Sequence, residues 1–204
     1  MAVKKEAAHY HVKRIVAMAV SLFILVVLYT FKNISTWTRA GSTIWLVLVF
    51  YIIDHYLNLK FRWRHYIFIL FIATASFFLS QLYFLVPSYD KFLHFIQPVM
   101  LSSIVFHLVT KLKIKTHWKL IFTFFIVLGS VGLFELGEYG LDYIFDSKLQ
   151  GVFIRDLQSF EKLNILMDRL DDTMIDMALG FLGAAGYLLA GAFLFDRIKN
   201  IHYL

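Results

Sequence analysis

Three short stretches of this sequence carry the residue types that do chemistry: "YDKFLHF" at 89–95, "LFELGEYGLDY" at 133–143 and "DDTMIDM" at 171–177. At 100° per residue, Asp90, His94 and Gln97 fall within about 60° of one helical face. Glu135, Glu138 and Asp142 share a similarly narrow arc, and Asp172 and Asp176 stand one turn apart. A patch of carboxylates around one imidazole cannot stay fully ionised without compensation. Either some acids hold protons or a cation binds among them. One nitrogen and several oxygens suit Zn²⁺, Mn²⁺, Fe²⁺ or Mg²⁺, and no soft ligand is present to favour copper.

The elements that must position these groups are apolar. The chain has 204 residues, 60% hydrophobic and 18% aromatic, with 22 Phe, 2 Pro and no Cys. Apolar runs reach the roughly 20 residues needed to cross a hydrocarbon core. The reading is an all-α, polytopic membrane helix bundle forming one integral membrane domain over 1–204, with spans at about 15–31, 43–58, 65–86, 91–110, 118–142 and 172–195. The start, "MAVKKEAAHYHVKR" before "IVAMAVSLFILVVLYTF", reads as a retained signal anchor, because no small-residue cleavage site follows. The loop 143–171 is too polar to span. Its "RDLQSFEKLNILMDRL" reads as an amphipathic segment lying on the membrane surface.

A net charge of +6 does not make a nucleic-acid surface here, since Lys and Arg are scattered between apolar runs. The densest group, Lys111, Lys113, Lys115 and Lys119, fills a short linker, where such charge sets topology and meets anionic head groups. Placing both termini in the cytoplasm puts most of the 20 Lys and Arg inside. The three acid-bearing helix ends then meet at the outer side of the membrane. A carboxylate within a bilayer costs at least about 2.5 kcal/mol on insertion scales, so ionisable groups there are functional candidates. Acids at helix ends also sit in the hydrated interface for structural reasons, and Asp172 can serve as an N-cap. Small residues along the last span, Gly180, Gly183, Ala184, Gly186, Ala190 and Gly191, permit close helix approach.

In order and spacing, "YDKFLHF", "FELGEY" and "DDTMIDMALGFLGA" resemble the Asp-x-x-x-His-Phe, Glu-x-x-Glu and Asp-Thr-x-x-Asp elements of the YjdF-like family of prokaryotic inner-membrane proteins. The opening element is similar, more distantly, to VanZ-like proteins, which are associated with glycopeptide-antibiotic tolerance. The resemblance covers the second half of the chain. It implies a prokaryotic inner membrane and a shared polar site at Asp90, His94, Glu135, Glu138, Asp172 and Asp176.

The absent signatures narrow the chemistry. The sequence has no His-Glu-x-x-His helix, no Gly-x-Ser-x-Gly elbow and no phosphate-binding Walker loop. Without Cys, disulfides, thiolate metal sites and Cys nucleophiles are excluded. The leading expectation is a metal-dependent hydrolase or phosphoryl-group enzyme acting on a membrane lipid or lipid-linked substrate. His94, Glu135, Glu138 and Asp176 would hold the metal, and Asp90 or Asp172 would act as general base. Arg155 and Arg169 would bind an anionic head group. Gln97, Asp142 and Gln81 are possible additions, with Tyr139, Tyr143 and Thr173 as outer partners. A proton- or cation-coupled transporter is the alternative; Asp54 and His55 could supply its inner gate, although a local interface or helix-packing role near the cytoplasmic end of the second span is the stronger reading of that pair. A non-catalytic membrane protein with a structural metal is a third.

Overall fold

A computed structural model describes Phe23 and residues 34–145, 148–156 and 163–201. The expected first span and the signal anchor lie outside these residues apart from Phe23. The chain divides into two compact units, Met1–Ser80 and Gln81–Leu204.

In the first unit, α1 (Ile34–Tyr56) turns into α2 (Trp63–Ala73) through residues 57–62, where Asn58 and Lys60 adopt positive φ. Asp54 organises this turn: its Oδ1 accepts the Phe61 amide at 3.1 Å, and its Oδ2 accepts the Tyr66 hydroxyl. His65 is fully buried, and its Nδ1 accepts the Arg62 amide at 3.1 Å, which caps the start of α2. Phe50 stacks on Phe61 with ring centroids 4.7 Å apart. Asp54 therefore closes a turn. His55 is exposed and stacks on Tyr51.

The span expected over 65–86 is not one continuous α-helix. After Ala73 the backbone widens into a π-helix (Thr74–Phe78), then tightens into a 3-10 turn (Ser80–Phe84). Hydropathy averages over such changes of pitch and registers only an apolar run.

The second unit carries the site. Pro87 opens α3 (Pro87–Val109), as its fixed φ and missing N–H suit a first helical turn. Next come α4 (Thr116–Phe145), an antiparallel hairpin of β1 (Val152–Arg155) and β2 (Leu163–Met167), and α5 (Arg169–Ile201). The three helices pack pairwise on one another. Val105, Val109, Val127 and Ala184 form the buried centre, flanked by Leu101 and Phe124. Glycines on α5 set the approach. A Cβ on Gly183 would collide with the Phe95 carbonyl oxygen of α3, and one on Gly180 would stand 2.7 Å from Val131 of α4.

Pro87–Val109, Thr116–Phe145 and Arg169–Phe193 are each long and apolar enough to cross a membrane. Large apolar side chains such as Phe125, Leu133, Leu136, Phe181 and Leu189 remain exposed on these helices, as suits a face turned to lipid. The protein is thus a helical membrane protein.

The loop before α5 differs from the amphipathic segment expected there. Residues 152–155 and 163–167 pair as strands, and Gly151, at φ +93°, turns the chain into the first of them. Within "RDLQSFEKLNILMDRL" the described residues are the end of one strand, the second strand, a cap and the start of α5, while 157–162 lie outside the described residues. Asp168 is that cap, accepting the Leu170 and Asp171 amides at 2.9 and 3.0 Å. Asp172 is not needed as the N-cap, so its carboxylate is available elsewhere.

Candidate functional site

The site forms where the first turns of α3 and α5 meet the last third of α4. On α3, the four-residue spacing puts the His94 ring beside the Asp90 carboxylate, with Nε2 3.3 Å from Oδ1. Across the bundle, His94 Nδ1 stands 3.4 Å from Glu135 Oε1 and 3.9 Å from Asp176 Oδ1. Asp176 is fully buried, and Glu135 is only 4% exposed. Phe134 covers one side of the imidazole, edge to face at 5.9 Å.

Lys91 divides the acids into two groups. Its ammonium donates to Asp90 Oδ2 at 3.0 Å, to both oxygens of Asp176 at 2.8 Å, and to Asp172 Oδ1. These three carboxylates thus share a cation supplied by the chain. Glu135 and Glu138 do not. Among the described residues, neither buried Glu135 oxygen has a donor in hydrogen-bonding geometry, and the Thr173 hydroxyl is its other polar neighbour. Ligand atoms of His94, Glu135 and Glu138 lie within 4.8 Å of one another, as do those of Asp90, His94 and Asp176.

Lys91 has no place in the site as read from sequence. It stands 100° round the helix from Asp90 and reads as a topology charge. Its four-carbon stem lets the ammonium reach back into the bundle, a reach that helical phase does not register. The readable signal was the excess of acids, which requires a nearby cation.

The structure brings together Asp90, His94, Glu135, Glu138, Asp172 and Asp176. Asp142 is drawn off to the loop, where its two oxygens accept the Leu149 and Gln150 amides at 2.7 and 2.9 Å. Near a helix C-terminus, where the helix dipole disfavours an anion, those two donors stabilise it. Asp172 makes a parallel link, its Oδ2 accepting the Gly151 amide at 2.7 Å. Gln150 Nε2 donates to Thr173 Oγ1 at 3.0 Å, so Thr173 does stand beside the cluster. Tyr139 and Tyr143 do not: both are exposed and stack on each other. Gln97 is half-buried one turn beyond His94, and Gln81 is exposed in the 3-10 turn. Arg155 is half-buried at the end of β1, its Nε shielded without an acceptor among the described residues, and Arg169 is exposed at the first residue of α5.

Chemically, the arrangement offers a cation one imidazole nitrogen and two carboxylates that Lys91 does not reach, beside a second set of three acids that share the Lys91 ammonium. No curated protein and no solved structure matches the chain. A family model does, over residues 12–197, and its description, "Predicted membrane protein (DUF2238)", agrees with the membrane-length helices that hold this cluster; the chain belongs to that YjdF-like family.

Proposed function

We propose that this membrane protein holds a divalent metal ion between His94, Glu135 and Glu138, and uses it for hydrolytic or phosphoryl-group chemistry on a lipid-linked substrate. The observation that carries the reading is Glu135: a buried carboxylate without a hydrogen-bond donor, facing an imidazole nitrogen and accompanied by a second glutamate. A buried anion is costly unless it is paired or coordinates a metal. Zn²⁺, Mn²⁺, Fe²⁺ and Mg²⁺ fit this ligand set.

A bound ion of this kind would polarise a phosphoryl or acyl oxygen and acidify water. Asp176 lies 3.9 Å from His94 Nδ1, but both its oxygens accept from Lys91, so it is no freer to take a proton than its neighbours. Asp90 and Asp172 are likewise not free to act as bases, because Lys91, His94 and the Gly151 amide engage their oxygens. Arg155, with an unsatisfied Nε, is the candidate for an anionic head group. Apolar runs support six spans, the family resemblance supports an inner membrane, and the Lys and Arg distribution supports both termini in the cytoplasm with the site opening toward the outer leaflet.

Metal analysis by mass spectrometry tests this on the purified wild type beside Glu135→Ala and His94→Ala. Near-stoichiometric Zn, Mn or Fe in the wild type, lost in both variants, is the expected result. Metal retained without turnover of any lipid phosphate would assign it a structural role. No metal after reloading with each ion would sink the reading and favour proton-coupled transport. That second reading is favoured by the unbroken run of exchangeable groups from Lys91 through Asp90 and His94 to Glu135.

A further inference from the structure

We infer that Asp90 is a positioning residue: it accepts the His94 Nε2 proton and so turns Nδ1, with its lone pair, toward Glu135 and Glu138. This rests on the metal site proposed above and specifies its geometry. A neutral imidazole has one donor nitrogen and one acceptor, and the hydrogen bond on one side selects which is which. Two carboxylates stand closest to the His94 ring, Asp90 at Nε2 and Glu135 at Nδ1, at nearly equal distances of 3.3 and 3.4 Å, with Asp176, held by Lys91, farther off at 3.9 Å from Nδ1. Their surroundings separate them. Asp90 is fixed on the same helix one turn away, and its other oxygen is held by Lys91 at 3.0 Å. Glu135 has no such partner and faces Glu138.

A cation among Glu135, Glu138 and His94 requires a lone pair on Nδ1. The proton then belongs on Nε2, where Asp90 is waiting. Lys91, Asp90 and His94 thus form a buttress of ammonium, carboxylate and imidazole behind the ligand set, the arrangement that orients metal-bound histidines in general. Asp90 would neither coordinate the ion nor serve as the general base.

The test uses the full chain in detergent micelles, loaded with zinc and labelled with ¹⁵N-histidine, the His94 signals being identified by their loss in His94→Gln. The expected spectrum has zinc on Nδ1 and the proton on Nε2. Asp90→Ala should weaken zinc binding, measured by competition with a chelating dye, by about 10–100-fold. Asp90→Asn, which keeps an oxygen acceptor, should recover part of that loss. Zinc on Nε2, or wild-type affinity in Asp90→Ala, would overturn the inference and leave the metal site standing. Failure of the wild type to bind zinc would remove both. The wild-type spectrum does not depend on Asp90→Ala, so poor folding of that variant would not protect the inference.

Discussion

At the residue scale, the decisive group is Lys91. It is the common partner of Asp90, Asp172 and Asp176, and the last two are almost wholly buried. Removing one member of a buried ionic cluster leaves uncompensated charge, which costs about 3–5 kcal/mol. Lys91→Met should therefore destabilise the protein by that order, read as a fall in the unfolding midpoint in detergent, whereas Lys91→Arg should lose less because the charge remains. Glu135 makes the opposite case, since Lys91 does not reach it and neither of its oxygens accepts a hydrogen bond among the described residues. If it is a metal ligand, zinc at 100 times its dissociation constant should stabilise the wild type by about 2.7 kcal/mol. Glu135→Gln should abolish that gain, and a thermal shift assay with and without chelator would show it.

At the scale of elements, two carboxylates on different helices hold one short loop. Asp142 of α4 takes the amides of Leu149 and Gln150, and Asp172 of α5 takes that of Gly151. The start of the hairpin is thereby fastened to the helix ends that build the site. Asp142→Ala leaves two donors without acceptors, a loss of about 1–3 kcal/mol for a buried group. Faster hydrogen exchange at amides 149 and 150, with little change in the cores of α3 and α4, is the outcome to look for. The approach of α5 is similarly open to test. A methyl at Gly183 meets the Phe95 backbone, whereas one at Gly186 meets nothing within 4 Å. Gly183→Ala should destabilise the bundle by about 1–3 kcal/mol. Gly186→Ala should be neutral or stabilising, because alanine favours helix more than glycine does. Unfolding curves of the two variants side by side separate steric closeness from helix propensity.

For the whole molecule, the testable property is topology. The native chain has no Cys, so single introduced cysteines are unique labels. With both termini cytoplasmic, Lys113→Cys in the linker between α3 and α4 should react only with reagent on the cytoplasmic side. Leu149→Cys, at a position exposed before the hairpin, should react only from outside. Reactivity of both from the same side would contradict the span between them, α4. The reverse sidedness would put the acid cluster at the cytoplasmic face and remove the outer-leaflet substrate from consideration.

The sequence by itself determined the membrane class, the acid-bearing helix ends and the six residues Asp90, His94, Glu135, Glu138, Asp172 and Asp176. Hydropathy and helical phase are local quantities, and a carboxylate inside an apolar run stands out because its burial must be compensated. The tertiary structure decided how that compensation is divided. Lys91 serves three acids through a long side chain, Asp142 is claimed by loop amides, and Glu135 has no hydrogen-bond donor among the described residues. It also decided that 152–155 and 163–167 pair as strands and that Asp168 caps α5, because residue pattern alone does not say which short segments pair or which of several neighbouring acids accepts the first amides of a helix. Helical phase places a residue on a face, but where a flexible ammonium comes to rest is set by the charges that face it across the bundle.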